Sequence, residues 1–272
     1  MTHSPVVASF WDAPTGSWQY VLDDPDTMRG AMVDPVWNFD PLSGATAARD
    51  AQKILDYVQQ AGITVDWILD THPHADHFSA AVWLKDRLGA KTGIGEHVVK
   101  VQKLWKDIYN LGDDVVADGH QWDRLFRDGE TLMVGSLPVQ VMFSPGHTMA
   151  SVTYIAGDAA FVHDTLMMPD SGTSRADFPG GSSSALYDSL QRILALPPRD
   201  AALCRARLCP GPSRRFHGDS GPAPRDQHPP GGRAGSGYVS CKARRPRCHV
   251  GVAQADACGL AGQHPGRSCA GP

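Results

Sequence analysis

The stretch "THPHADHF", Thr71 to Phe78, constrains this chain more than any other. It gathers three histidines and one aspartate within six positions, from a total of 12 His in 272 residues. It also follows directly on "TVDWILDT", an apolar run of buried-strand length. A turn at the end of that strand can aim His72 and His74 at one metal while Asp76 and His77 face a neighbouring position. Neutral imidazole suits Zn, Fe, Cu and Ni, and a carboxylate either binds a second metal or orients a water. The bland alternative is a polar loop that happens to be rich in histidine, and the H-x-H-x-D-H spacing argues against it. One loop supplies only part of a site, so the remaining ligands must come from elsewhere in the chain.

Two later positions fit. In "FSPGHTMAS", His147 follows the strand pattern "VQVMF", Pro-Gly forms a tight turn, and Thr148 and Ser151 offer hydroxyls for supporting hydrogen bonds. In "AAFVHDTLM", Asp164 stands at the end of the next hairpin. His163 adjoins it but alternates to the opposite side of the strand, which reads as a structural histidine. His97 opens a helix, His120 sits in the turn "DGHQW", and His217, His228, His249 and His264 fall in the C-terminal part; all read as solvated.

Strand and helix patterns alternate around these positions. "SWQYVLDD" and "GAMVDPV" predict strands, and "TAARDAQKILDYVQQAG" predicts a helix with Ala47, Ala51, Ile54, Leu55 and Val58 on one face and Gly62 as its C-terminal cap. "FSAAVWLKDRLG" and "HVVKVQKLWKDIYNL" predict two more helices. "TLMVG", "PVQVMF" and "SVTYIAGDAAFVHD" predict three further strand segments, the last a hairpin turned at Gly157-Asp158. Such an order packs sheet on sheet with helices outside.

Composition changes abruptly after Pro198. Residues 199–272 contain no Glu, Ile, Met, Trp, Asn or Thr, and all six Cys of the chain. They carry 11 Arg and one Lys against four Asp, leaving 13 basic and 25 acidic groups for residues 1–198. The formal net charge of -4 therefore averages a +8 segment and a -12 one. The segment has too few large apolar residues to offset its ordering entropy, so disorder is expected there. Its cysteines lack zinc-ribbon spacing. The chain thus divides into an α/β domain over 1–198 and an aberrant tail over 199–272. Its start, "MTHSPVVASFWD", has neither a basic nor an apolar targeting region, and no apolar run reaches membrane-spanning length, so a cytoplasmic location is expected.

"THPHADH", "SPGHT" and "HDTLMMPDSGTSRADFPGG", in this order, resemble the metallo-β-lactamase fold over roughly residues 5–198. The resemblance implies a four-layered αβ/βα sandwich with metals at one edge of two sheets. "SGTSRADFPGG" is similar to the persulfide dioxygenase branch and its β-lactamase-like hydrolase relatives. That branch implies one Fe(II) per chain, with His72, His147 and Asp164 as its ligands and Arg175 beside a glutathione carboxylate or bracing its own loop. The implied reaction oxidises glutathione persulfide to sulfite and glutathione, in sulfide detoxification. The alternative is a Zn(II) hydrolase of the glyoxalase II type, in which His74 and His77 add metal ligands and Asp76 helps to activate water. The expected partners are a small thiol or persulfide and O₂. A homodimer and a rhodanese partner are compatible with the resemblance, and neither nucleic acid nor membrane is expected.

Proteins of this fold carry a further Gly-His-Asp-Tyr type segment after the last shared helix, followed by elements that complete the second half of the sandwich. Here "DSLQRILALPP" leads into "RDAALCRARLCPG", which has no His. Codons for that stretch can be chosen that read "ETRLCAGHDYVP" one base later. Residues 199–272 are therefore expected to be a frameshifted end, with the second half of the sandwich incomplete, and an inactive product is a third alternative. Sequencing the gene around codon 198 is expected to reveal the shift. An intact frame, with tail peptides found by mass spectrometry, would refute it.

Overall fold

Period-two alternation in the N-terminal strands gives one sheet two faces to bury. The computed structural model describes residues 4–167 and 172–196 with their side chains and residues 201–204 as backbone. In chain order the elements are β1 (Val6–Asp12), β2 (Ser17–Asp24), β3 (Arg29–Val33), β4 (Val36–Phe39), β5 (Thr46–Ala47), α1 (Arg49–Ala61), β6 (Thr64–Leu69), β7 (Phe78–Ser79) and α2 (Ala81–Leu88). They continue as β8 (Lys91–Gly95), α3 (Val98–Ile108), β9 (Arg124–Phe126), β10 (Thr131–Val134), β11 (Leu137–Phe143), β12 (Val152–Ala156), β13 (Ala159–His163), α4 (Ser183–Leu194) and β14 (Ala201–Cys204).

One sheet has the order β1-β2-β3-β6-β8-β9, a second β10-β11-β12-β13-β14, and β5-β4-β7 form a small third. Tyr20, Leu22, Val33 and Leu69 on one face of the first sheet pack against Val139, Val141, Tyr154 and Phe161 of the second. The alternate residues Val21, Met32 and Ile68 face α1 and α2 through Ile54, Val58 and Leu84. On the far side, Met142, Ala160 and Val162 meet Ile193 of α4. The expected helix–sheet–sheet–helix layering is thus what the chain builds.

Topology brings the site together. β3 and β6 run parallel, and β11 and β13 share a direction because each pairs antiparallel with β12 between them. The residues following all four strands therefore emerge along one edge. That edge is stitched across the sheets by Val152 N donating to Thr71 O at 2.9 Å and Tyr154 Oη donating to Asp70 O at 3.0 Å.

Several boundaries differ from expectation for local reasons. The first helix starts at Arg49 because Thr46 and Ala47 pair with β4, while Gly62 caps it with φ +68 as expected. Phe78 and Ser79 pair with β4, so α2 begins only at Ala81. β14 runs parallel to β13 and adds one edge strand to the second sheet; whether the second half of the sandwich is incomplete beyond it lies outside the described residues. Edge pairing of this kind needs only backbone donors and acceptors. The tail cysteines other than Cys204, the tail histidines and the expected disorder of residues 205–272 lie outside the described residues.

The turn before His147 depends on one glycine. Gly146 has φ +141, and a Cβ there would collide with the backbone of Leu186 in α4. Its carbonyl accepts from Ser182 N at 2.9 Å, and Ser189 Oγ donates to Pro145 O at 2.7 Å, so the turn is clamped to α4. Gly146→Ala is expected to cost about 2 kcal/mol, lowering the thermal midpoint by roughly 4–8 °C; an unchanged melt would show that α4 is free to shift.

Candidate metal centre

Asp34 directly follows β3 in the left-handed region, with φ +51, and is buried. That conformation turns its carboxylate toward the loop leaving β6. Asp34 Oδ1 accepts from Thr71 N at 2.7 Å, and Oδ2 accepts from Thr71 Oγ1 at 2.8 Å. His74 Nε2 lies 3.0 Å from Oδ1. A carboxylate can only accept here, so Nε2 carries the proton and His74 Nδ1 keeps its lone pair. Burial would raise the Asp34 carboxyl, but the charges of His163 and His74 and the His74 hydrogen bond outweigh it and hold the group well below the usual range.

The same logic fixes two more tautomers. Thr71 Oγ1 spends its proton on Asp34, so His72 Nδ1, 3.0 Å from that oxygen, must donate to it. His147 Nδ1 donates to Arg175 O at 2.9 Å, a carbonyl that cannot donate. His147 is also wedged edge-on against Phe178, with ring centroids 5.2 Å apart. Both histidines therefore present Nε2 lone pairs. His72 Nε2 lies 3.7 Å and His147 Nε2 3.5 Å from the same atom, Asp164 Oδ2. All three residues are buried. Donors about 2.1 Å from a common ion sit roughly 3.0–3.5 Å apart, so the three converge as ligands would. His72 Nε2 is buried and makes no hydrogen bond to any described residue, which is costly unless an ion or water takes it. Burial, then the charge of His74, pushes the His72 imidazole well below its ordinary pKa, and burial with His77 takes His74 to about 4. The neutral forms that ligate metals are thus the favoured ones.

A second group adjoins the first. Ligand atoms of His74, Asp76 and His77 lie within 4.8 Å of one another, and the rings of His74 and His77 stack at 4.1 Å. Among the described residues, every group of three metal-capable side chains includes His72 or His74.

Sequence reasoning missed three acids and bases. His163 was expected to point away from the site, yet it is buried with its ring 4.9 Å from that of His74. The cause is a register shift between Phe161 and His163 and a φ of +33 at His163, which break the alternation that the expectation used. Asp34, in "MVDPV", had only its position before Pro as a signal. Asp70, raised to about 6 by burial and by the charge of Asp34, is held by Trp122 Nε1 and Ser79 Oγ, each at 2.8 Å.

Arg175 contributes its carbonyl to His147, while its guanidinium grips Asp177 at 2.6 and 2.9 Å and lies 4.6 Å over the Phe178 ring. These contacts brace the loop. Beside the centre is a cavity of about 330 Å³ whose walls include His74, Val101, Trp105, Tyr109, His147 and Phe178. A larger open groove of about 1030 Å³, lined by Lys100, Arg124, Arg127, Glu130 and the half-buried His97, contains none of the clustered histidines. Among the described residues no helix is long and apolar enough to cross a membrane.

Asp34→Asn removes the anion that orients Thr71 and His74. It is expected to weaken metal binding about 10–100-fold, measured by chelator competition at unchanged circular dichroism; wild-type affinity would show that Asp34 serves the fold alone.

The model of the metallo-beta-lactamase superfamily matches residues 39–205. A beta-lactamase hydrolase-like protein of Xylella fastidiosa is 62% identical over 194 residues, covering 71% of this chain and 45% of that relative. This chain thus spans less than half the length of that relative. The mitochondrial persulfide dioxygenase ETHE1 of Homo sapiens is 28% identical over 184 residues, 66% of this chain and 60% of that protein. The crystal structure of ETHE1 from Myxococcus xanthus superposes with a TM-score of 0.60 at 26% identity, covering 75% of this chain and 76% of that one.

Proposed function

Because this chain belongs to the metallo-β-lactamase superfamily, we propose that its centre is that of a non-haem Fe(II) persulfide dioxygenase. The observation that carries this is the convergence of His72 Nε2 and His147 Nε2 on Asp164 Oδ2, at 3.7 and 3.5 Å. Two histidines and one carboxylate are the ligand set of non-haem Fe(II) oxygenases, and a metal held by them would keep positions for substrate and O₂. The likeness to persulfide dioxygenases supports the same reading. Bound Fe(II) supplies the redox chemistry with O₂ that the protein alone lacks.

The chain's own groups do the rest. Thr71 and Arg175 O fix the two imidazoles through their Nδ1 protons, so neither ring turns when substrate enters. The cavity walled by Trp105, Tyr109 and Phe178 receives the persulfide-bearing end of the substrate and limits water around it. The balanced reaction takes a persulfide, O₂ and water to a thiol, sulfite and two protons. Glutathione persulfide is the proposed substrate. Arg175 is engaged with Asp177, and in this proposal a substrate carboxylate competes for that guanidinium. A cytoplasmic setting, a homodimer and a rhodanese partner supplying or taking up the sulfur carrier belong to the same proposal.

A second reading, a Zn(II) hydrolase, is favoured by the clustering of His74, Asp76 and His77 and by the name of the Xylella relative. In that case Asp76 helps to activate water. Metal analysis combined with oxygen uptake on glutathione persulfide distinguishes the two: iron with stoichiometric O₂ consumption is expected, whereas zinc without oxygen uptake would reject the dioxygenase. Asp76→Asn is expected to leave oxygen uptake within about tenfold of wild type, whereas in the hydrolase it removes the base, an effect of about 10²–10⁴-fold.

A further inference from the structure

His163 closes β13 in a backbone conformation that residues other than glycine adopt at a cost, φ +33. It is 1% exposed. A strained, buried, polar side chain is retained only where its surroundings over-determine it, and such outliers cluster at functional sites. The break in β13 pairing turns this imidazole out of the strand alternation and into the centre. Its ring stands 4.9 Å from His74 and 5.4 Å from His72. Nδ1 is 3.2 Å from Asp164 Oδ1, and Nε2 is 3.8 Å from Asp34 Oδ2.

The two oxygens of Asp164 therefore face different neighbours. Oδ2 looks toward the Nε2 atoms of His72 and His147, and Oδ1 toward His163. A carboxylate that bridges two ions through both of its oxygens needs each oxygen open to one of them, and Asp164 Oδ1 has His163 Nδ1 at 3.2 Å. His74, Asp76 and His77 supply three donors for a second ion, and a fourth is needed to complete a tetrahedral set.

We infer that His163 is a positioning residue that limits the centre to one metal. Its imidazole spans the carboxylates of Asp164 and Asp34 and stands beside His74, on the side of Asp164 from which a second ion would take Oδ1. The inference rests on the one-metal centre proposed above. It assigns to a side chain the property that separates a mononuclear site from a binuclear one when the H-x-H-x-D-H donors for both are present.

The test is a metal count on the full chain, by native mass spectrometry and elemental analysis, after reconstitution with Zn(II) alone and, anaerobically, with Fe(II) alone. Wild type is expected to hold one ion per chain. His163→Gly, which suits the positive φ and removes the ring, is expected to hold two. His163→Asn, which tolerates the same backbone and keeps an amide near Asp164 Oδ1, is expected to return to one. Thermal melts followed by circular dichroism establish that each variant is folded. Two ions in wild type, or a count in His163→Gly that stays at one, would overturn the inference; a count that falls below one would make His163 a ligand instead. Oxygen uptake is read separately: one ion in wild type without persulfide-dependent uptake defeats the proposed reaction and leaves the role of His163 standing.

Discussion

The buried carboxylate of Asp34 is the contact on which the centre depends. It joins the end of β3 to the loop after β6, takes both the amide and the hydroxyl of Thr71, and fixes the ring of His74. Burying an anion is costly unless it is fully hydrogen-bonded, and these donors meet that cost. Through Thr71 the same carboxylate reaches His72, whose Nδ1 proton points back along the chain of hydrogen bonds. One acid on the first sheet thus decides which ring nitrogen of His72 and of His74 carries the proton and which keeps its lone pair.

The second sheet contributes by a different route. His147 owes its position to a Pro-Gly turn clamped by α4, and its tautomer to the carbonyl of Arg175. Asp164 follows β13 directly. The layers that bury Tyr20, Tyr154 and Phe161 between the sheets hold these two sets of side chains at a common edge, and their spacing is a consequence of that packing. Because the supports come from separate elements, a centre of this kind is preorganised before any ion arrives.

Much of this was legible in the sequence, and the reasons are physical. The clustering of His72, His147 and Asp164 could be anticipated because the loop His72–His77 is dense in histidine and the other two residues each close an apolar strand pattern. The α1 face from Ala51 to Val58 and the Gly62 cap followed from helical periodicity and hold, whereas Ala47, expected on that face, belongs to β5. The strands β8 and β9 escaped notice because "KTGIG" and "RLF" are too short or too rich in glycine to show alternation. Asp34 gave no pattern at all, since its role comes from a left-handed strand end and a partner 37 residues away. His163 was misread because the period-two rule assumes a regular strand, and the strand bends at that residue. Arg175 illustrates a different limit: its side chain was singled out, whereas its backbone carbonyl, which no side-chain pattern reveals, is what meets His147.

The central claim is that one iron sits between His72, His147 and Asp164. Anomalous diffraction at the iron edge from crystals of the Fe(II)-loaded protein tests it most directly. The account predicts a single peak within bonding distance of His72 Nε2, His147 Nε2 and Asp164 Oδ2. A peak on His74, Asp76 and His77, or two peaks of comparable height, would contradict it.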